Sequence, residues 1–384
     1  MMQEQSMNPA AHAHILQAAL SQIPAHIQHV VDYETCAREF IADDIWHYIQ
    51  SGSDQNLSLA ANRRSFDQLA LLPRMLRSVH EGHTRVHLFG HEHRAPLLLA
   101  PVAYHGLVHP DAELATVQAA VAMQTAMVVS TLASRRFMDI RRTAEAAAQE
   151  LQRPEPPLWL QLYSQPTRAQ TQAVLQAAAE ANFDAIVWTV DAHYKRTAMA
   201  LPVGVSAVNT DAEAQYKHTS QLLDERLVLG SRFTEHAPTW EDLAWLRGQT
   251  DKPILVKGIV SPADAKQALA LGANGLVVSN HGGRVLDGMV SPVDVVPLMR
   301  AAVGAEVPLL LDGGIRWGTD VVKAVALGAD AVMVGRPQMH ALAVAGMLGV
   351  AHMLHLLRVE LELAMAQLGC AQVGDLNASV LHRS

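Results

Sequence analysis

The chain has 384 residues, half of them hydrophobic, which is enough for one large α/β barrel or for two or three smaller domains. A formal net charge of −8 and 17% charged residues exclude the basic excess of a typical nucleic-acid-binding protein. Two cysteines, Cys36 and Cys370, are too few for a disulfide framework and fit a reducing compartment. The N-terminal stretch has no charged region followed by an apolar one, so we predict no secretory signal and expect a cytoplasmic location.

The first part of the chain predicts helices and a hairpin. Residues 12–61 have the apolar spacing of amphipathic helices, interrupted by the turn-forming SGSDQN (51–56), and predict two or three leading helices without a strand. TRVHLFGHEHRAP (84–96) resembles a short hairpin that closes the floor of a barrel. We therefore assign residues 1–96 to an N-terminal helical extension with a floor hairpin.

From residue 97 the rhythm changes to short apolar runs, each followed by a polar or glycine-bearing turn and an alanine-rich helical segment. The runs are LLLAP (97–101), MVVST (127–131), LWLQL (158–162), AIVWTV (185–190), ILVKG (254–258), GLVVS (275–279), PLLLD (308–312) and AVMVG (331–335). Parallel strands buried on both faces read as continuous apolar runs, and eight βα units form a TIM barrel. We predict an α/β fold, a (β/α)8 TIM barrel over 97–370, with a C-terminal tail at 371–384.

Two segments depart from this rhythm. Between the fourth and fifth runs the gap is about twice the usual repeat, and its polar sequence predicts a long, partly mobile lid loop over the barrel mouth at about 195–240. The longest apolar stretch, 341–368, carries two histidines, an arginine and two glutamates, and predicts an amphipathic helix and no membrane association.

Two neighbouring turns predict a phosphate site. The glycines of DGGIRWGTD (312–320) let backbone N–H groups approach an anion beside Arg316, and VGRP (334–337) adds Arg336 where a helix begins. The loops after strands seven and eight are the usual phosphate-binding place of a TIM barrel. Alternatively, these glycines are only turn residues.

The stretch SNHGGRVLDG (279–288) follows the sixth run and places His281 and Arg284 over the barrel mouth. A histidine can take a proton there, and an arginine can hold a carboxylate through two hydrogen bonds. Asp191, at the end of the fourth run, can orient this histidine, and Lys257 can supply positive charge to a developing anion. The alternatives are a solvated loop histidine and a surface lysine.

Five histidines precede the barrel: His80, His83, His87, His91 and His93. Although His91 and His93 could share a strand face, no carboxylate–histidine set at ligand spacing accompanies them. They also lie on the non-catalytic side of the predicted barrel. We therefore predict structural or solvated histidines and no metal.

Taken together, the motifs resemble the FMN-dependent 2-hydroxy acid oxidase family, which includes glycolate, lactate and hydroxymandelate oxidases. The resemblance runs from about Tyr33 to Cys370 and is carried by YIQSGSDQNLSLAANRRSF, APVAYHGLVHPDAE, QLYSQ, TVDA, LVKGI, SNHGGRVLDG, LDGGIRWGTDVVKAVALGADAVMVGRP and LGC. It implies an FMN cofactor, oxidation of an (S)-2-hydroxy acid to the 2-oxo acid, reduction of O2 to hydrogen peroxide, and a homo-oligomer, tetramer or octamer.

The resemblance also implies residue roles. His281 is similar to the catalytic base, Asp191 to its orienting partner, and Arg284 to the carboxylate clamp. Tyr48 and Tyr163 are similar to tyrosines that contact the carboxylate and the 2-hydroxyl group. The implied flavin-ring contacts are the Ala103 backbone, Ser130, Gln161, Thr189 and Lys257; the implied ribityl and phosphate contacts are Asp312, Gly314, Arg316, Gly335 and Arg336.

One stretch departs from the family. Members commonly carry an arginine seven residues after the aspartate, whereas DAHYKRTAMALPVGV (191–205) has alanine at position 198. If the loop is two residues shorter, Arg196 replaces that arginine as a second carboxylate contact. The sequence leaves open the substrate side chain, a hydride or a carbanion mechanism, and three rivals: a dehydrogenase with another electron acceptor, another flavin or phosphate barrel, and a flavin-binding protein without turnover.

Overall fold

The computed structural model describes residues 16–194, 201–210, 228–230, 234 and 237–383. Eight parallel strands close into a barrel in chain order, because the last strand pairs with the first. With strands numbered along the chain, the barrel consists of β4 (Leu97–Leu99), β5 (Met127–Ser130), β6 (Leu158–Leu162), β7 (Ala185–Thr189), β8 (Ile254–Ile259), β9 (Gly275–Val278), β10 (Leu309–Asp312) and β11 (Ala331–Val334). Each falls on one of the eight predicted apolar runs, and the TIM barrel is confirmed.

The strands are apolar throughout because both of their faces are buried. Leu98 lies in the cluster inside the barrel with Trp159 and Met333, while Leu97 and Leu99 pack in the cluster outside it. This alternation is expected, since successive side chains of a strand point to opposite faces.

Helices precede and surround the barrel. Three leading helices, α1 (Asp32–Ala37), α2 (Asp43–Gln50) and α3 (Leu57–Asp67), agree with the prediction for the first part of the chain. The following helices are α4 (Glu113–Met123), α5 (Phe137–Leu151), α6 (Arg168–Glu180), α7 (Trp240–Arg247), α8 (Pro262–Ala270), α9 (Pro292–Val303), α10 (Gly318–Ala326) and α11 (Arg336–Leu368).

Helix α11 is the long apolar helix predicted from the sequence. Its backbone leaves the helical conformation at Ala345 and Gly346, so that two helices meet there at a kink. Among the described residues it is the one helix that is long and apolar enough to cross a membrane, with a mean hydropathy of 1.6 over the most apolar window. Because 56% of that window is buried inside the protein, α11 also has the properties of a core helix.

The predicted floor hairpin is present as β2 (Val86–Leu88) and β3 (His91–His93). At its tip the Phe89 ring packs edge-on against Trp159 in β6, with 5.6 Å between ring centroids, and Leu88 joins the inner cluster. A side chain at Gly275, the first residue of β9, would meet the Phe89 ring at 3.2 Å. The hairpin therefore closes the barrel at the amino ends of its strands.

A further pairing was not predicted. Strand β1 (Leu69–Leu71) pairs antiparallel with β12 (Leu381–Arg383) near the end of the chain. Both strands are only three residues long, and neither shows an extended alternation in the sequence. The pairing connects the leading helices with the segment that follows the barrel.

Candidate active site

A cavity of about 510 Å³ opens at the carboxyl ends of the barrel strands, where TIM-barrel enzymes carry their catalytic groups. The predicted site residues that line it are Tyr48, Ala103, Ser130, Tyr163, Thr189, Lys257, His281, Arg284, Asp312, Gly314, Arg316, Gly335 and Arg336. Gln161 and Asp191 lie directly behind this surface, where they contact Ser130 and His281. Arg196 lies outside the described residues, as does most of the predicted lid loop. The folded chain thus brings every described residue of the predicted site to one cavity.

Lys257 carries a buried positive charge near the end of β8. Its Nζ atom lies 2.7 Å from Oδ2 of Asp312 and donates to Oγ of Ser279 at 3.0 Å. Burial alone lowers the pKa of Lys257, but Asp312 and then Asp191 outweigh it, so that the pKa lies above its usual value. Lys257 therefore stays protonated at neutral pH.

Two buried polar atoms on the neighbouring strands β6 and β7 have no hydrogen-bond partner among the described residues. They are Nε2 of Gln161 and Oγ1 of Thr189, at the ends of β6 and β7. The orientation of Gln161 is fixed, because its Oε1 atom accepts hydrogen bonds from Ser130 Oγ at 3.1 Å and from the Thr131 N–H at 3.3 Å. Buried polar groups normally have partners, so these atoms indicate a ligand with polar edges.

Arg316 and Arg336 form the far side of the cavity. Arg316 Nη1 donates to the carbonyl oxygen of Ile315 and Arg336 Nε to that of Ile49, each at 2.8 Å. Within the described ranges, neither guanidinium forms an ion pair with a carboxylate. Two half-buried cations whose observed contacts are with backbone oxygens provide a binding site for an anion.

The pKa values of the basic side chains on this side of the cavity also indicate an excess of positive charge. Burial, with Arg316 and Arg284 nearby, lowers the pKa of Arg336 to about 9, and burial also lowers the pKa of Arg316. His340 lies fully buried close by, and its pKa is well below the usual value because of burial and then of both arginines. A phosphate group would relieve this excess of positive charge.

The turn that carries Arg316 has room only for glycine. Gly314 has φ of +90°, and a Cβ atom there would lie 2.6 Å from the carbonyl oxygen of Asn62. With two arginines at one end, and a lysine and unpartnered polar atoms at the other, the cavity fits FMN. Arg316 and Arg336 would hold the phosphate, while Lys257, Gln161 and Thr189 would contact the ring.

His281 lies in a backbone turn that few residues adopt. His281, Gly282 and Gly283 have φ values of 56°, 64° and 78°, and for a non-glycine residue this left-handed conformation costs about 1–2 kcal/mol. The His281 N–H donates to Ser279 Oγ at 2.9 Å, which holds the start of the turn. Strain of this kind is typical of functional sites.

The side chain of His281 is oriented by Asp191, because Nδ1 lies 2.9 Å from Oδ1 of the carboxylate. When Nδ1 carries the hydrogen and donates it to Asp191, Nε2 is left as the acceptor. Asp191 itself occupies a narrow space: a Cβ atom at Gly258, where φ is +106°, would lie 2.5 Å from its Cγ atom. Gly258 therefore permits the predicted base and its partner to meet.

Arg284 and Tyr48 form a cationic corner beside His281. Arg284 Nη1 donates to the carbonyl oxygens of Tyr48 at 2.7 Å and Ser51 at 2.8 Å, and the guanidinium carbon lies 5.0 Å from the Tyr48 ring centroid. Burial lowers the pKa of Arg284, although Tyr48 and then Tyr163 oppose this effect. The planar guanidinium has further donors for a carboxylate.

The remaining wall of the cavity is largely apolar. It includes Tyr104, Leu107, Leu132, Leu201 and Pro238. The segment 201–210 is attached to the loop after β5 through Val208 N–H, which donates to the carbonyl oxygen of Ala133 at 3.2 Å. Burial, then Tyr48, raises the pKa of Tyr104 to about 12, so its hydroxyl group stays protonated.

The histidines ahead of the barrel lie away from this cavity. His93 is buried against Trp159 in the floor hairpin, and burial lowers its pKa to about 4. No group of three or more histidine, cysteine, aspartate and glutamate side chains that could hold a metal occurs in the ranges the structure describes.

Sequence reasoning missed two residues of the site. Ser279 connects Lys257, Asp312 and the His281 backbone, and it lies within the SNHGGR motif that was singled out. Gly258 follows Lys257 directly, but nothing in a single sequence indicates that a distant aspartate fills the space beside it.

The phosphate site can be tested by replacing its arginines. Arg316→Ala and Arg336→Ala should each weaken FMN binding about 10–100-fold, because each removes a charge-assisted hydrogen bond of about 1.5–3 kcal/mol. FMN dissociation constants of the apoproteins can be measured by quenching of flavin fluorescence. The exposed Arg142 on α5 offers a control, Arg142→Ala, that should bind FMN as the wild type does. Unchanged FMN affinity in both cavity variants would contradict the assignment.

Comparison with known proteins agrees with this geometry. Residues 37–383 match the family described as FMN-dependent dehydrogenase. The chain is 44% identical to an L-lactate oxidase of Alicycliphilus denitrificans over 367 residues, which cover 94% of this chain and 98% of the relative. It is 38% identical to a 4-hydroxymandelate oxidase of Amycolatopsis orientalis over 353 residues, or 90% and 95% of the two chains.

A solved structure of mandelate oxidase with (S)-2-phenylpropionate superimposes with a TM-score of 0.80 at 35% sequence identity. The match covers 92% of this chain and 98% of that one. With the family match extending over nearly the whole chain, the protein belongs to the FMN-dependent dehydrogenase family, and FMN is its cofactor.

Proposed function

We propose that the protein oxidises an (S)-2-hydroxy acid to the 2-oxo acid with O2 as the electron acceptor and hydrogen peroxide as the second product. One observation carries the proposal: a histidine–aspartate pair and a half-buried arginine face the same cavity, beside groups that fit FMN. Relatives named L-lactate oxidase and 4-hydroxymandelate oxidase support the reaction class.

Substrate binding depends on Arg284 and Tyr48. The guanidinium fork of Arg284 matches a carboxylate, and its position is fixed by the carbonyl oxygens of Tyr48 and Ser51. His281 and Tyr163 line the same cavity as this corner, so both could reach the C2 hydroxyl group of a substrate bound there. Arg196 is proposed as a second carboxylate contact on sequence grounds alone.

His281 is the proposed general base. Its Nε2 atom takes the hydroxyl proton in a hydride mechanism or the C2 proton in a carbanion mechanism, and the Asp191 carboxylate then stabilises the imidazolium. Bound FMN would supply a two-electron acceptor that O2 can reoxidise. Lys257 contributes a fixed positive charge near the ring, and Tyr163 can donate a hydrogen bond to the 2-oxygen atom.

The cellular context is proposed as well. The segment 209–243, which includes most of the predicted lid, is polar and has seven acidic against three basic residues, which supports an oxidase without a membrane anchor. We propose a cytoplasmic homotetramer or octamer, in line with the family resemblance. Light scattering of the purified protein measures the oligomer size directly.

The reaction can be tested by anaerobic reduction of the purified yellow protein. Addition of the matching (S)-2-hydroxy acid should bleach the flavin, and admission of O2 should restore the colour with one peroxide formed per flavin. The substrates to compare are glycolate, lactate, long-chain 2-hydroxy acids and mandelates. A protein that retains FMN but is bleached by none of them would refute the proposed function.

The His281→Gln variant should retain FMN, but its flavin should be reduced by the substrate more slowly. Removal of a positioned base typically lowers a rate by roughly 10²–10⁴, and the loss is larger if the imidazolium also stabilises charge. Stopped-flow absorbance under anaerobic conditions gives the rate of flavin reduction at saturating substrate. Reduction at the wild-type rate would rule out His281 as the base.

Gly258→Ala should displace Asp191, because the new methyl group would overlap its carboxylate. Misplacement of a catalytic group by about 1 Å can cost about 10² in rate, so we expect a reduction rate lower by roughly 10–100-fold at saturating FMN. Gly288→Ala is a matched control, since Gly288 also has a positive φ, +78°, but no atom within 4 Å of an added Cβ. Equal rates in the two variants would mean that the Gly258 effect is backbone strain alone.

A further inference from the structure

We propose that helix α3 positions both halves of the active site through two adjacent residues, Asn62 for the catalytic turn and Arg63 for the phosphate loop. Neither side chain is among those that line the cavity, so both act through other residues. The inference about Asn62 rests on the proposed function, whereas the inference about Arg63 requires only that FMN binds.

Asn62 forms a reciprocal amide pair with Asn280, the residue before His281. Each side-chain amide nitrogen donates to the other side-chain oxygen at 2.8 Å, and the exposed fractions are only 2% for Asn62 and 0% for Asn280. Oδ1 of Asn280 also accepts a hydrogen bond from the Gly283 N–H at 3.0 Å. Asn62 thereby fixes the side chain that closes the left-handed turn around His281.

The backbone of the same turn rests on the start of α3. A Cβ atom at Gly283 would lie 2.5 Å from the backbone nitrogen of Leu59, so turn and helix are in direct contact. The Ser53 N–H donates to the carbonyl oxygen of Gly283 at 2.9 Å, and the Asp287 carboxylate accepts from the Ser58 N–H at 2.8 Å. The turn can hold its strained conformation because α3 supports it from one side.

Arg63 supports the phosphate loop. Its Nη1 and Nη2 atoms contact the two carboxylate oxygens of Asp320 at 2.6 and 2.7 Å, and Nη1 also donates to the carbonyl oxygen of Gly314 at 2.8 Å. Asp320 is fully buried and its Oδ2 atom accepts hydrogen bonds from the backbone N–H groups of Arg316 at 2.9 Å and Trp317 at 3.0 Å. Arg63 thus fixes the backbone that presents Arg316.

The two contacts lead to separable effects, because one concerns the base and the other the cofactor phosphate. Arg63→Ala should raise the FMN dissociation constant about tenfold or more, as expected for a lost bidentate ion pair, and leave the reduction rate at saturating FMN within about twofold. Arg63→Lys keeps the charge but not the fork, and should lie between Arg63→Ala and the wild type.

Asn62→Ala should have the opposite effect: it should lower the rate of flavin reduction and leave FMN binding nearly unchanged. We expect the reduction rate to fall about tenfold or more, since a small misplacement of a catalytic group is costly, with the FMN dissociation constant changed by less than about threefold. In a crystal structure of Asn62→Ala, the φ angle of His281 should differ from its present value of 56°. This measurement does not depend on any substrate. Asn62→Ser is the smaller change to use if the alanine variant fails to fold.

The control is Arg64→Ala, because Arg64 is the exposed neighbour on the same helix. It should match the wild type in FMN affinity and in reduction rate. The proposal is overturned if the Asn62 and Arg63 variants lower both quantities alike, or if either behaves like Arg64→Ala. If no 2-hydroxy acid reduces the wild type, the proposed function fails, while the FMN dissociation constants and the crystal structure still decide the roles of Arg63 and Asn62.

Discussion

Positive charge that is buried or half-buried at the carboxyl end of the barrel is the constraint on which the site depends. Lys257 is paired with Asp312, whereas Arg284, Arg316 and Arg336 contact backbone carbonyl oxygens, and burial lowers the pKa of all three arginines. Such cations lose part of their hydration, which costs free energy unless anions bind beside them. The division into a two-arginine end and an Arg284 end provides for two anions, a cofactor phosphate and a substrate carboxylate.

The turn that carries His281 lines the same cavity and requires its own support. His281 adopts a left-handed backbone conformation that a non-glycine residue rarely has, and its ring is held against Asp191 in a space that exists because residue 258 is glycine. Strand β8 supplies Lys257 and the segment after β7 supplies Asp191, but the leading helices hold the turn and supply Tyr48. The N-terminal extension is therefore part of the active site.

The sequence predicted the barrel because each parallel strand is buried on both faces and reads as an apolar run. It also predicted that His281, Asp191 and Arg284 meet, since residues that follow barrel strands converge at one end. The Asn62–Asn280 and Arg63–Asp320 contacts could not be predicted: their partners are 218 and 257 residues apart, and no periodicity relates them. The β1–β12 pairing was missed because the two strands lie far apart in the sequence and no hairpin turn or apolar run relates them.

The most direct test of this account is a crystal structure of the protein with FMN and oxalate, a carboxylate that mimics the substrate but cannot be oxidised. The account predicts the phosphate against Arg316 and Arg336, and one oxalate carboxylate against Arg284 and Tyr48, with an oxygen atom of the second carboxylate within hydrogen-bond distance of His281 Nε2. A phosphate bound at Arg284, or an oxalate bound away from His281, would contradict it.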